Sequence, residues 1–418
     1  MSATEKLNFN QTWSMAVGGM VGGGIFSTLG VVIMIAGPWA WLSFLVAGLI
    51  ALAAGYSYAK LAVYYNEGGG AFTYLRKIGA DQFAASLAWV LIVGYVLTNA
   101  VYAYTFGGYL AHVLDLGPWF ARASAVAIMA VFIGLNLKDV GEAGGVEAFL
   151  VWFKLAVLVT LAAWGLSEWD SAMLSRGVPD SGIVAALFAA ASIFMAYEGF
   201  QLLTYDFEDI ETPRKILPRA IISAIVVVIF IYILVALGTA MLIGADQVVA
   251  HQEVALAIAG EKAFGLVGLI VVTIGAAFST GSAINSTLFA TARLSIQVAR
   301  AGDLPHAIEH KNREGIPDRA VIVLGVLAAI LAALGNLTEL VEAASLAFLF
   351  TFAVVCFLAY KAKAGARWIT GFGAISASAA VVALVIRLVQ TDPLALAALG
   401  ALALIAVFGR KYLLRSSH

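Results

Sequence analysis

Charge is what this sequence has least of. Only 12% of its 418 residues are Asp, Glu, Lys or Arg, whereas 62% are hydrophobic and the mean hydropathy is +0.96. A water-soluble domain of this length needs more charge than that to cover its exterior. With a net charge of −1, nothing suggests nucleic acid or an acidic partner. A single cysteine, Cys356, excludes an intrachain disulfide. No phosphate-binding loop, nucleotide fingerprint or catalytic triad is present, so neither enzymatic activity nor a cofactor is expected. His306-Ala307-Ile308-Glu309-His310 has the form of a zinc-hydrolase motif. Its basic loop setting speaks against catalysis, and no metal site is expected. Residues 1–10 are polar and lack the basic region and cleavage site of a signal peptide, so the first apolar block is expected to be retained.

Apolar length is abundant. Blocks of roughly 20 residues recur, enough to cross about 30 Å of hydrocarbon as helix. They predict twelve spans, near 11–36, 41–63, 83–114, 119–136, 146–164, 182–207, 219–243, 264–296, 320–334, 339–360, 368–389 and 393–412. Runs this long and unbroken exclude alternating β-barrel strands, so the expected fold class is an all-α membrane protein in a lipid bilayer. With the N-terminus inside, nineteen of the 24 Lys and Arg residues fall on the cytoplasmic side. Arg122, Arg176, Lys262 and Arg387 fall outside, and Lys154 lies within a span. This bias predicts that both termini face the cytoplasm. The outer segment 245–262 has the spacing of a short amphipathic helix and is a candidate external lid.

Two spans carry polar or glycine interruptions. Gly18-Gly19-Met20-Val21-Gly22-Gly23-Gly24-Ile25-Phe26 lies in the first, where each glycine costs a helix about 1 kcal/mol relative to alanine. Met195-Ala196-Tyr197-Glu198-Gly199-Phe200-Gln201 lies in the sixth. Spans one and six occupy corresponding places in two five-span halves, and paired breaks of this kind point to a transporter site at the bilayer midplane. A broken helix frees N–H and C=O groups that must find partners. Half-helix N-termini suit a carboxylate and freed carbonyls suit an ammonium, so a zwitterionic amino acid supplies both. The competing reading of the first cluster is close helix packing through small residues, with Gly18 and Gly22 four apart.

Several separated motifs resemble the amino acid–polyamine–organocation (APC) superfamily. They are Gly22-Gly23-Gly24-Ile25-Phe26, Gly68-Gly69-Gly70-Ala71-Phe72-Thr73-Tyr74-Leu75, Tyr197-Glu198-Gly199-Phe200-Gln201, Glu211-Thr212-Pro213-Arg214-Lys215, Leu217-Pro218-Arg219-Ala220, and Gly302-Asp303-Leu304-Pro305 with Gly315-Ile316-Pro317. The resemblance covers nearly the whole chain. It implies the leucine-transporter fold, a 5+5 inverted repeat with discontinuous helices 1 and 6. Residues 1–165 would form the first repeat, 166–361 the second, and 362–418 the last two helices. It also implies amide contacts from Gly22, Gly23 and Gly24 to a substrate carboxylate, with Ile25 in the same segment. Carbonyls of Met20, Met195, Ala196 and Glu198 would receive the amine. Gly23 departs from the Ser or Ala often found there, removing a possible hydroxyl contact.

Lys154 stands near the middle of span five, about 12 Å along the helix from Val146. An ionisable group at that depth is costly and usually functional, and the distance to either interface strains a snorkelling explanation. By the resemblance, its ammonium takes the position of sodium in sodium-coupled relatives. It would then meet the Gly18 carbonyl and hydroxyls near Ser279 or Ser282. The implied function is proton-coupled amino-acid symport across a cytoplasmic (plasma or inner) membrane. Exchange of one amine for another, a non-transporting nutrient sensor and an ion channel are the alternatives. Glu198 could bind the amine or titrate, and bracing of the unwound backbone is the favoured role. Asn99, Asn285 and Ser345 are read as interhelical hydrogen-bonding residues.

Overall fold

In a bilayer every backbone polar group must be satisfied within the chain, and an apolar sequence answers with helices. The computed structural model describes residues 6–138, 144–179, 181–393, 396–397 and 400. Its α-helices are α1 (Phe9–Ala36), α2 (Ala40–Tyr65), α3 (Gly70–Lys77), α4 (Asp81–Val113), α5 (Pro118–Leu137), α6 (Gly144–Ser167) and α7 (Gly182–Ser192). They continue with α8 (Pro213–Ile243), α9 (Ala245–His251), α10 (Ala255–Arg300), α11 (Asp318–Leu334), α12 (Leu337–Ala362) and α13 (Arg367–Thr391). Among the described residues, eight helical stretches are long and apolar enough to cross a membrane, or nine if the bent pair Gly182–Ser192 and Phe194–Asp209 is one span. One of the eight, Phe9–Tyr65, contains both α1 and α2, joined through the 3-10 turn Gly37–Trp39. The twelfth expected span, 393–412, lies almost wholly outside the described residues.

Burial sorts the helices into layers. The most apolar windows of α4 and α12 are 78% buried, so these helices run through the centre. Those of α5 and α13 are only 22% buried and belong to the rim. Exposed Ile322, Val323, Val326, Leu327 and Ile330 form one stripe along α11. A stripe of that kind suits lipid or another apolar surface rather than water. α1 has no such face: from Thr12 to Ile33 every residue but Met15 is buried.

The first expected break is absent. α1 is a continuous 28-residue helix through Gly18–Phe26, so the expectation of a discontinuous helix 1 is corrected. The glycines serve close approach instead. A Cβ on Gly19 would stand 2.9 Å from the Gly199 Cα, and one on Gly24 would stand 2.6 Å from the Ala196 carbonyl oxygen. A Cβ on Gly23 would collide with the Tyr102 ring. Glycine permits a break but does not enforce one, and the tight fit of α1 against the sixth segment keeps it wound.

The sixth segment does break. α7 ends at Ser192, a 3-10 turn covers Phe194–Tyr197, and Glu198 is extended (φ −68, ψ 148). Gly199 then adopts φ 126, a region that side chains disfavour, and a second 3-10 stretch runs from Phe200 to Asp209. The two halves are bent by 57°. The far end is tied down by Leu7, whose N–H donates to Asp209 O at 2.8 Å and whose carbonyl accepts from the Glu211 N–H at 2.9 Å. The expected outer helix at 245–262 is realised as α9, the 3-10 turn Gln252–Val254 and the start of α10, which is interrupted at Phe264–Gly265.

Candidate functional site

The break survives because side chains replace the backbone bonds it loses. The Gly199 N–H donates to Gln201 Oε1 at 3.0 Å. Gln201 Nε2 in turn donates to Glu198 Oε1 at 3.0 Å and to the Tyr95 hydroxyl at 3.2 Å. The Tyr102 hydroxyl donates to Glu198 Oε2 at 3.2 Å. Ser345 of α12 accepts from the Met195 N–H at 3.0 Å and donates to the Ser192 carbonyl at 2.7 Å. These groups are all buried, where an unpaired donor or acceptor costs about 1–3 kcal/mol. Bracing is thus shared, with Gln201 rather than Glu198 accepting the freed amide.

α1 lies directly against this break, and three of its carbonyls take side-chain donors from three other helices. Lys154 of α6, 2% exposed, donates from Nζ to Gly18 O at 3.2 Å. The Tyr232 hydroxyl of α8 lies 2.7 Å from Met20 O and 2.8 Å from Ala196 O. Ser279 Oγ of α10 donates to Val21 O at 2.6 Å. Ser282 is buried on the same helix. The expected residues Gly18, Met20, Gly22, Gly23, Gly24, Ile25, Lys154, Met195, Ala196, Glu198, Ser279 and Ser282 are therefore all buried in the region where α1, the sixth segment, α6 and α10 meet. In a continuous helix the amides of Gly22, Gly24 and Ile25 point back at the carbonyls of Gly18, Met20 and Val21, four residues earlier.

Several participants were not singled out from sequence. Tyr232 sits in the apolar run Ile231-Tyr232-Ile233, where nothing in the sequence distinguishes it from a packing residue. Glu342, 3% exposed in α12, accepts from Ser192 Oγ at 2.9 Å and pairs with Arg387 of α13 at 2.7 Å. A carboxylate inside an apolar run was a signal of the same kind as Lys154. Asn285 accepts from Asn136 Nδ2 at 2.7 Å, an interhelical bond as expected, whereas the buried Asn99 Oδ1 has no partner among the described residues. The two histidines of the hydrolase-like segment go separate ways, His306 to Glu309 and His310 to Asp318.

The "Amino acid permease" family profile matches residues 7–408. An uncharacterized protein of Methanocaldococcus jannaschii is 33% identical over 78% of this chain and 76% of its own length. The inner membrane transport protein YbaT of Escherichia coli is 30% identical over 86% of this chain and 84% of its own. The serine/threonine exchanger SteT of Bacillus subtilis is 24% identical over 70% of this chain and 68% of its own. A glycine-packed helix held against a braced break, in an apolar helical bundle, accords with this kinship: the chain belongs to the amino acid permease family of the APC superfamily.

Proposed function

We propose that this protein carries amino acids across a cytoplasmic membrane by alternating access, as a proton-coupled symporter. It would do so as a twelve-span protein with both termini cytoplasmic and spans one to five repeated, inverted, as six to ten. One observation carries the reading. The α1 carbonyls that hold side-chain donors from other helices are those of Gly18, Met20 and Val21. Their helical partners are the amides of Gly22, Gly24 and Ile25. If α1 opens here, Lys154, Tyr232 and Ser279 keep the carbonyls satisfied, and three N–H groups are released toward a substrate carboxylate.

The amine end has a similar logic. The Tyr232 hydroxyl has one proton and lies between two carbonyls, Met20 O and Ala196 O, so it fully satisfies only one. A substrate ammonium has three protons and can serve both while displacing the hydroxyl. Lys154 provides the coupling: as an ammonium it fastens α6 to α1 at Gly18, and loss of its proton removes that charge-assisted bond and shifts the population of states.

The test is uptake by reconstituted protein under an imposed pH gradient, with unlabelled amino acids and polyamines as competitors. Lys154→Ala should lose the gradient-driven component and keep part of the substrate binding. Normal gradient-driven uptake in that variant overturns the coupling assignment. Exchange is the second reading, favoured by the similarity to a protein named as a serine/threonine exchanger. It predicts uptake only into vesicles preloaded with an amino acid and no response to the gradient.

A further inference from the structure

A second opening lies apart from the buried site. A half-open cavity of about 350 Å³ lies between the last turns of α4, the first two turns of α5, the 3-10 turn Gln252–Val254 and the end of α11. That volume is within the usual range for small-molecule pockets, roughly 300–1,000 Å³. The turn that roofs it also presses on α1, because a Cβ on Gly30 would collide with Gln252.

The cavity wall carries both signs of charge. Glu253 enters half-buried from the roofing turn, and Arg122 stands exposed at the mouth. Tyr104 lies within electrostatic range of both. Neither charge forms an ion pair among the described residues. Gly108 makes room for the carboxylate: a Cβ there would stand 2.9 Å from Glu253 Cγ and 3.0 Å from Oε1. On the Arg122 side, α5 begins at Gly117 and Pro118 with no side-chain cap and no acidic residue in its first turn. Pro118 has no N–H and the Phe120 and Ala121 amides donate to Gly117 O, so it is the positive end of the helix dipole that adds to the guanidinium in attracting an anion. A half-buried carboxylate and a guanidinium that line one cavity and leave each other unpaired are matched by a ligand carrying both opposite charges.

We propose that this cavity is an outer binding site for a zwitterionic amino acid, with the ligand's ammonium on Glu253 and its carboxylate on Arg122 and the start of α5. The choice of ligand class rests on the proposed transport function. Occupancy ties the roofing turn to α4 and α5, and so bears on the outer half of α1. A phosphatidylethanolamine headgroup shares the ligand's chemistry, and the lipid composition of the assay separates the two.

The experiment is equilibrium binding of radiolabelled L-alanine, L-serine and L-arginine to the full chain in phosphatidylcholine nanodiscs. At least one probe should fill two sites per chain. Glu253→Gln and Arg122→Met should each weaken one of them about tenfold or more, the scale of a lost charge-assisted hydrogen bond. Leu116 lines the mouth from a loop and is 46% exposed, so Leu116→Trp should block the same site with the bundle packing untouched. Lys154→Ala should leave this site intact. A single site insensitive to Glu253→Gln, two sites both insensitive to it, or no saturable binding overturns the proposal. Loss of the second site on adding phosphatidylethanolamine overturns it in favour of the lipid. Failure of the transport reading looks different: uptake is absent while the outer site still responds to Glu253→Gln.

Discussion

The glycine-rich stretch of α1 and the Glu198–Gly199 break face each other across one interface, and only one of them is unwound. Both sequences disfavour a regular helix. In the sixth segment, Gln201 and Ser345 hold the amides that a break releases, so the open backbone is satisfied. In α1 the side-chain donors sit on carbonyls, and among the described residues no side chain accepts from the amides of Gly22, Gly24 or Ile25. A break is thus decided by what satisfies the freed groups, and glycine content only lowers the resistance. α1 keeps these amides on its own carbonyls, four residues earlier, and so stays wound.

The largest expected effect comes from enforcing distance between the two regions. Gly24→Val places bulk against the Ala196 carbonyl and the Tyr232 hydroxyl, both immobilised. Overpacking of this kind costs about 1–3 kcal/mol, so thermal stability in detergent should fall and uptake should vanish. Unchanged uptake would mean that α1 and the sixth segment do not need this contact.

Next is Gln201→Ala, which strips the Gly199 amide and one side of Glu198 of partners. It should cost about 1–3 kcal/mol in thermal stability, and hydrogen exchange at Gly199 should accelerate. Ser345→Ala strips the Met195 amide and the Ser192 carbonyl of their partner and should cost about 1–3 kcal/mol as well, with faster hydrogen exchange at Met195. Faster exchange at Gly199 in the Ser345 variant, with none at Met195, would contradict the division of bracing.

Ser279→Ala sharpens the comparison from the α1 side. The helix keeps its own bond to Val21 O, so stability should change by under about 1 kcal/mol. Substrate affinity should nevertheless fall, because opening α1 would leave that carbonyl bare. A variant that binds substrate normally would remove Ser279 from the argument.

The smallest effect belongs to a surface pair remote from both regions. The hydrogen bond from His310 holds the Asp318 carboxyl below the usual carboxylate range. Its contribution is present above the ordinary carboxylate pKa of about 4 and is lost as pH falls through the depressed value. His310→Ala should therefore reduce stability in mild acid slightly and leave uptake unchanged. Altered transport would show that this loop reaches the site.

Sequence alone determined that the chain is helical and lipid-embedded, because no arrangement of so few charges covers such apolar length in water. It also located the sixth-segment break, since a polar group at lipid depth has few possible partners, whereas the Lys154–Gly18 contact was implied by the resemblance to the APC superfamily. The winding of α1 was decided by tertiary structure: the same glycines permit a kink or a close contact, and only the proximity of Gly199 and Ala196 selects between them. Tyr232 was likewise illegible, because a tyrosine among isoleucines differs from packing only through the two carbonyls that meet its hydroxyl. Local composition fixes what a segment can tolerate, whereas the neighbours that supply or withhold hydrogen-bond partners fix what it becomes.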